Sequence, residues 1–228
     1  IHRYKAVFNG VSLVAMSDKV DALAGLSGVT GIYLDELQQP DTDTSTDFID
    51  ADDIWDTLGG QEEAGEGVIV GILDSGIWPE HPSVSDPDPE GDPYTSTVVL
   101  GSNGFSGGTP RSTCDFGNTT FNANDVPFAC NNKLIGAYSF IDTYKALTGL
   151  LPTEFDSARD DNGHGTHTAT TAAGNGEVEA TLLGVPRGEV SGVAPRAHII
   201  AYRVCGDLGC YNSDSVAAVE QAILDGVD

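Results

Sequence analysis

The chain has 228 residues, enough for one medium domain and a small one, and 39% of its residues are hydrophobic, as in an ordinary globular core. Its formal net charge is −25, because 35 Asp and Glu outnumber 10 Lys and Arg. This balance excludes nucleic acid and an anionic membrane surface as partners, since both bind through basic patches. The charge favours solubility outside the cell, with a preference for basic substrates as the alternative.

Residues 1–37 have the pattern of a small α+β unit. Short strands are predicted at residues 4–8, 11–15 and 29–34. Ser17 is the expected N-cap of a helix between the second and third strands, and Gly28 is its expected end. About 40 residues of this kind cannot bury a large core, so we expect the unit to dock on another part of the protein.

Residues 38–47 are acidic, polar and poor in apolar side chains, which is typical of an exposed, cleavable linker. A short helix is predicted after it at residues 52–58, with Ile54, Trp55 and Leu58 packing inward. The linker therefore separates the small unit from the rest of the chain.

From Val68 onward, predicted strands alternate with helices. An almost continuous apolar run at residues 68–73 predicts a parallel strand buried on both faces. The sequence contains no run of about 18 apolar residues, so no membrane-spanning segment is predicted. Further elements are predicted as strands at 134–140 and 197–204, and as helices at 168–173 and from the N-cap Ser213 to Gly226. The alternation indicates an α/β fold, with helices on both faces of a parallel sheet.

The four cysteines are Cys114, Cys130, Cys205 and Cys210. Their spacing does not match the short Cys-x-x-Cys pairs of zinc sites. Pairing each cysteine with its neighbour would close two short loops in stretches rich in Gly and Asn. We expect these two disulfides and an oxidising compartment, and four free buried thiols are the alternative.

Two residues have the chemistry and the setting of a catalytic pair. Asp74 falls at the carboxyl end of a predicted parallel strand, where α/β proteins build their sites. His164 lies between two glycines at the expected start of a helix, where a lowered pKa would keep the imidazole neutral and suited to general-base chemistry. The structural alternatives are a capping role for Asp74 and a hydrogen-bonded structural role for His164.

His167 follows His164 by three residues. It is either a second catalytic or metal-binding group or a buried structural histidine, and we favour the structural role. An Asp followed by a His also begins the catalytic triad of subtilisin, in which the serine comes last.

Several segments resemble the subtilisin family of serine proteases. The aspartate motif is matched by residues 70–77 with His81-Pro82, the histidine motif by 163–169, and the approach to the next core strand by 192–197. More finely, residues 130–137 and 202–214 resemble the cucumisin-like, plant-type branch of the family and its bacterial relatives.

The resemblance implies a secreted serine endopeptidase that hydrolyses peptide bonds in polypeptide substrates. Asp74 would orient the imidazole, His164 would act as the base, and His167 would not be catalytic. The family nucleophile sits in a Gly-Thr-Ser segment that this sequence lacks. We therefore expect no nucleophile within the 228 residues and no activity from them alone. Ser75 is too close to Asp74 along the chain to serve instead.

The resemblance also implies a zymogen. Residues 1–37 would be the later part of an inhibitory, ferredoxin-like propeptide that binds its own protease. Residues 38–47 would be the cleaved linker. Residues 48–228 would be the N-terminal portion of the subtilisin-like peptidase domain. Both ends of the chain are expected to be truncated relative to the family.

No cofactor is expected and no metal ligands are assigned. The acidic loops at residues 85–92 and 156–162 leave calcium binding open, without a defined site. The alternative is that Asp160 and Asp161 only support the loop that carries His164.

Two other functions fit parts of the sequence. A metal hydrolase would use His164 and His167, whose spacing can bind zinc, together with Asp74 or Asp160. A pseudoprotease or an inhibitor module would need no nucleophile, and residues 1–37 suit the inhibitor. Inhibition by a zinc chelator would favour the first, and absence of turnover would favour the second.

Overall fold

The computed structural model describes residues 2–4, 10–12, 15–33, 45–95 and 114–228. The chain divides into two compact units, Ile1–Pro40 and Asp41–Asp228. Within the described ranges, no helix has the length and apolar character needed to cross a membrane.

The first unit contains two short antiparallel strands, β1 (His2–Tyr4) and β2 (Gly10–Ser12). A 3₁₀ turn at Ser17–Lys19 leads into helix α1 (Val20–Ala24), which contains no buried residue. The chain leaves the helix at Gly25, earlier than the predicted Gly28, and Met16 rather than Ser17 takes the cap position. Residues 29–33 form no strand, contrary to the prediction. Of the other two predicted strands, Tyr4 lies in β1, Val11 and Ser12 lie in β2, and residue 15 lies in no strand, while residues 5–8, 13–14 and 34 lie outside the described ranges.

The second unit begins with two helices, α2 (Ser45–Phe48) and α3 (Ala51–Leu58). Most of the predicted linker lies outside the described residues. The helix predicted at 52–58 is confirmed as α3, but the prediction that Ile54 and Leu58 pack inward was wrong. Ile54 and Leu58 are exposed by 60% and 51%. A polar contact instead attaches α3 to the rest of the unit, since the Trp55 indole N–H donates a hydrogen bond to the Val193 carbonyl at 3.0 Å.

The centre of the second unit is a three-stranded parallel sheet. Its strands are β3 (Ile69–Asp74), β4 (Leu134–Ser139) and β7 (His198–Arg203), in the spatial order β3-β7-β4. All six residues of β7 are buried, as expected for the middle strand. Asp74 and Ser139 both pair with Arg203, so the carboxyl ends of the three strands meet at one edge.

Helices cover both faces of this sheet, which confirms the predicted α/β architecture. The remaining helices are α4 (Asp142–Leu147), α5 (His164–Ala173) and α6 (Asn212–Asp225). Ala169 of α5 packs in one core cluster with Ile199. Ala218 of α6 packs in the other cluster with Ile200. Consecutive residues of a strand point to opposite faces, so α5 and α6 lie on opposite sides.

Helix α6 ends as predicted at Gly226, which adopts a left-handed φ of 75°. Its predicted N-cap was wrong, because Tyr211 takes that position. The hydroxyl of Ser213 instead bonds to Thr143 at 2.9 Å.

Two antiparallel hairpins that the sequence analysis did not predict complete the unit. They are formed by β5 (Val178–Leu182) with β6 (Val185–Val190), and by β8 (Cys205–Gly206) with β9 (Gly209–Cys210). The second hairpin is closed by the predicted disulfide Cys205–Cys210, and the disulfide Cys114–Cys130 is also present. Both local pairings are therefore confirmed.

Candidate active site

Asp74 and His164 are 90 residues apart in the sequence and in direct contact in the structure, where Asp74 Oδ1 lies 2.7 Å from His164 Nδ1. Asp74 is the last residue of β3, and His164 is the first residue of α5. The side chain of Asp74 is 15% exposed and that of His164 is 73% exposed. The carboxylate is thus sheltered, while the imidazole faces solvent.

The face on which Asp74 lies follows from strand alternation. Val70 and Ile72 of β3 pack against the core cluster that contains Ala169 of α5. Because alternate residues of a strand share a face, Asp74 lies on the side of the sheet that α5 covers. Parallel pairing then places it at the edge where the strands end.

Two glycines allow the end of β3 and the start of α5 to approach closely. A Cβ atom at Gly165 would lie 2.3 Å from the Gly76 carbonyl oxygen. Gly76 has φ 115°, and a Cβ there would lie 2.4 Å from the Ala158 carbonyl oxygen. A larger residue at Gly165 would push α5 away from the end of β3, and one at Gly76 would displace the loop at residues 158–160. Gly165 therefore makes the Asp74–His164 contact sterically feasible, and Gly76 allows the loop before α5 to pack against the end of β3.

The contact raises the pKa of His164. The first cause is the hydrogen bond to Asp74 and the second is the negative charge of that carboxylate, whereas desolvation acts in the opposite direction. The predicted lowering of this pKa was wrong, because the adjacent carboxylate outweighs the helix N-terminus. The carboxylate of Asp74 therefore stabilises the imidazolium form of His164 relative to that of a free histidine.

The carboxylate of Asp74 is itself fixed by further donors. The backbone N–H of Ser75 donates to Oδ1 at 2.7 Å. The hydroxyl of Thr168, one turn after His164, lies 3.4 Å from Oδ2. These bonds restrict the rotation of the carboxylate and hence the direction in which it meets the imidazole.

His167 is exposed, so the expectation of a buried structural histidine was wrong. It lines a cavity of about 530 Å³ beside α5, together with Trp78 and His81. Within the described ranges, no group of three or more His, Cys, Asp or Glu residues comes together in a form that could hold a metal ion. The metal-hydrolase alternative stays a prediction that a zinc chelator would test.

The acidic loops are engaged with protein groups. Asp88 pairs with Arg196 at 3.3 Å, and Asp156 pairs with Lys145 at 2.8 Å. Asp161 pairs with the buried Arg203 at 2.7 Å. Each of these three carboxylates thus has a cationic partner within the protein, and calcium binding by the acidic loops stays a prediction.

The serines that follow His164 have hydroxyl partners elsewhere. Ser191 accepts a bond from the Glu177 N–H, Ser213 bonds to Thr143, and Ser215 donates to the Tyr211 carbonyl. Ser75 bonds to Asp160 and accepts from the Gly165 N–H. None of these recorded bonds joins a serine to His164.

The chain is thus an α/β protein with an aspartate–histidine pair at the carboxyl edge of its parallel sheet. Residues 65–228 match the subtilase family, Peptidase_S8, and the chain belongs to this family. Members of the family are serine endopeptidases.

The particular relatives are subtilisin-like proteases of plants. The whole chain aligns with SBT1.6 of Arabidopsis thaliana at 37% identity and with SBT1.5 of the same plant at 34%. It aligns with SBT3 of Solanum lycopersicum at 36%. In each case 100% of this chain is covered, but it spans only 28%, 27% and 27% of the respective relative. The resemblance to the plant-type branch is thus confirmed.

Proposed function

We propose that this chain supplies Asp74 and His164 to the Asp–His–Ser triad of a secreted serine endopeptidase. The observation that carries the proposal is the 2.7 Å contact between the sheltered Asp74 carboxylate and the exposed imidazole. Membership of the subtilase family supports the same reaction class. The substrates are polypeptides, and the bond hydrolysed is the peptide bond.

The proposed roles follow from the position of the protons. When the Nδ1–H of His164 donates a hydrogen bond to Asp74, the Nε2 atom carries the lone pair that accepts a proton from a serine hydroxyl. The Asp74 charge then stabilises the imidazolium, and this agrees with the raised pKa of His164. The imidazolium then donates its proton to the leaving amine as the peptide C–N bond breaks, and this cleavage leaves the acyl-enzyme.

No serine among these 228 residues is assigned as the nucleophile of the proposed triad. We infer that the 228 residues by themselves are inactive. No cofactor takes part in these steps, and a calcium ion would be a structural addition only.

The domain organisation is likewise a proposal. Residues 1–37 would act as the later part of an inhibitory propeptide, 38–47 as the cleavable linker, and 48–228 as part of the peptidase domain. A division of the chain at Pro40 and Asp41 falls within this linker and supports the scheme. The two disulfides agree with a secreted protein.

Assays of the complete gene product test the proposal. It should hydrolyse a polypeptide substrate and react with a fluorophosphonate, which modifies activated serines. His164→Ala and Asp74→Asn should each lower kcat by about 10⁴-fold or more. His167→Ala is the matched control, since it removes the other imidazole of α5 and should retain activity.

Two results would contradict the proposal. One is hydrolysis that persists unchanged in His164→Ala. The other is hydrolysis that resists the fluorophosphonate but is abolished by a zinc chelator and restored by zinc, since this pattern belongs to a metal hydrolase.

A further inference from the structure

The carboxylate of Asp160 is 3% exposed and accepts bonds from both segments that carry the Asp74–His164 pair. Its Oδ2 accepts from the Thr166 N–H at 2.8 Å and also from the Thr166 hydroxyl. Its Oδ1 accepts from the Gly163 N–H at 3.0 Å and the Ser75 hydroxyl at 2.9 Å. One carboxylate therefore joins the first turn of α5 to the end of β3.

Asp160 is held as a carboxylate. Burial alone would raise its pKa, but the hydrogen bonds from Thr166, Gly163 and Asn162 outweigh burial and lower it. An ionised acceptor makes stronger bonds to these donors than a neutral one. The link between β3 and α5 is thus a charge-assisted one.

Ser75 completes the link. It follows Asp74 directly, and its N–H donates to Asp74 Oδ1. Its hydroxyl accepts from the Gly165 N–H at 2.8 Å and has two acceptors for its single proton, Asp160 Oδ1 at 2.9 Å and Asn162 Oδ1 at 3.0 Å. The charged carboxylate is the stronger acceptor of the two. The hydroxyl thus spans the close contact between Gly76 and Gly165. A displacement of Ser75 would carry the Asp74 carboxylate away from the imidazole.

The loop that carries Asp160 is anchored to the sheet by Arg203, a fully buried residue paired with Asp74 in the strand register. Its guanidinium donates to the carbonyls of Phe155 and Arg159, at 2.9 and 2.8 Å. It also donates to the Asp161 carboxylate at 2.7 Å. The loop that carries Asp160 is therefore held to strand β7 through Arg203, in addition to the bonds that Asp160 makes itself.

We propose that Asp160 is a positioning residue for the Asp74–His164 pair and acts through the hydroxyl of Ser75. The proposal rests on the proposed function, because it assigns Asp160 a part in holding the catalytic geometry. Asp160 does not touch the reacting atoms. It fixes the separation of β3 and α5, on which the direction of the Nδ1–Asp74 bond depends.

Nuclear magnetic resonance of the 228-residue chain tests the positioning directly, without requiring proteolysis. Ser75→Ala removes the hydroxyl and leaves every charge in place. It should lower the pKa of His164 and weaken the downfield signal of the Nδ1 proton. Asp160→Asn should act in the same direction, and more strongly because the Asp160 charge also favours the imidazolium.

Asp214→Asn is the matched control. Asp214 is also a buried aspartate, and it accepts the N–H groups of Thr143 and Tyr144 at the start of α4. Its substitution should destabilise the chain but leave the His164 signals unchanged. Unchanged signals in Ser75→Ala, with the fold intact by circular dichroism, would overturn the proposal even if Asp160→Asn fails to fold.

Kinetics of the complete gene product give the second test. Ser75→Ala and Asp160→Asn should each lower kcat about 10–100-fold, with little change in KM, as expected for a small misplacement of catalytic groups. Since both substitutions break the same hydrogen bond between Ser75 and Asp160, kcat of the double variant should be within about twofold of kcat of the more damaging single variant. Independent, multiplicative losses would refute action through Ser75.

The two tests separate the possible failures. If His164→Ala retains full hydrolysis, the proposed function fails, while the resonance result still reports on the geometry. If His164→Ala abolishes hydrolysis but Ser75→Ala and Asp160→Asn leave both kcat and the His164 pKa unchanged, only the positioning role is rejected.

Discussion

At the residue scale, the charge state of His164 depends mainly on Asp74 and to a smaller extent on Asp160. Its pKa is raised first by the hydrogen bond to Asp74 and then by the charge of that carboxylate. A histidine with a raised folded-state pKa stabilises the fold while it is protonated. That contribution is fully present below about pH 6.5, the unfolded value, and is lost as pH rises through the folded pKa.

We expect Asp74→Asn to lower the pKa of His164, because the two largest causes of the raised value disappear and only the smaller effect of the Asp160 charge remains. A titration of the histidine ring resonances between about pH 5 and pH 9 measures this pKa. His81 provides an internal control, since its pKa is lowered by burial rather than by a carboxylate and should not move. An unchanged His164 pKa in the variant would show that Asp74 does not govern it.

The same pKa sets the expected pH dependence of hydrolysis. General-base catalysis needs a neutral imidazole, so kcat/KM of the complete gene product should rise as pH increases through the raised pKa of His164. A rise centred below about pH 6.5 would contradict this assignment. The pH–rate profile of Ser75→Ala should be displaced to lower pH than that of the parent.

At the scale of secondary structure, the site depends on how closely β3 and α5 approach. Gly165→Ala should lower the free energy of unfolding by about 1–3 kcal/mol, because its Cβ would meet the backbone of Gly76. It should also lower the pKa of His164 by separating it from Asp74. Urea unfolding and the ring titration measure the two effects.

Gly176→Ala is the control for this substitution. At Gly176 a new Cβ would meet only the end of the Gln61 side chain, at 3.2 Å, and that side chain can move. Its effect on stability should be small. A loss as large in Gly176→Ala as in Gly165→Ala would indicate a general effect of removing glycine rather than a specific contact.

The two disulfides should contribute unequally to stability. Cys114–Cys130 joins residues 16 apart in sequence, and Cys205–Cys210 joins residues 5 apart. Chain-entropy reasoning gives about 3 kcal/mol for the longer loop and about 2 kcal/mol for the shorter one. Paired Cys→Ser substitutions, compared by urea unfolding, measure these values. A larger loss from the shorter loop would contradict the entropic account.

At the scale of the whole molecule, the dominant property is a net charge of −25. Three cations, Lys133, Arg159 and Arg203, are fully buried and so do not cover the surface. Burial also lowers the pKa of Lys133 to about 7, which reduces its charge near neutrality. Acidic groups at the surface therefore repel one another with little local compensation.

We expect Tm to rise when sodium chloride is increased from about 10 mM to about 1 M, because the Debye length falls from about 30 Å to about 3 Å. Each kcal/mol gained by screening corresponds to about 2–4 °C for a chain of this size. Tetramethylammonium chloride should have the same effect. A rise produced only by millimolar calcium would instead reveal specific ion binding.

The sequence by itself determined the main strands and the two residues proposed for the triad. Apolar runs predicted β3, β4 and β7 within about two residues of their bounds, a normal uncertainty for strand ends. Local motifs marked Asp74 and His164. Both kinds of signal lie within a few neighbouring residues, so no tertiary information was needed.

Only the tertiary structure decided the order of the sheet and the surroundings of the pair. The raised pKa of His164 comes from Asp74, 90 residues away. The link from Asp160 through Ser75 spans 85 residues. Helical and strand periodicity describe which face of an element is apolar, but they do not specify which distant polar group will meet it, and for that reason these contacts required the folded chain.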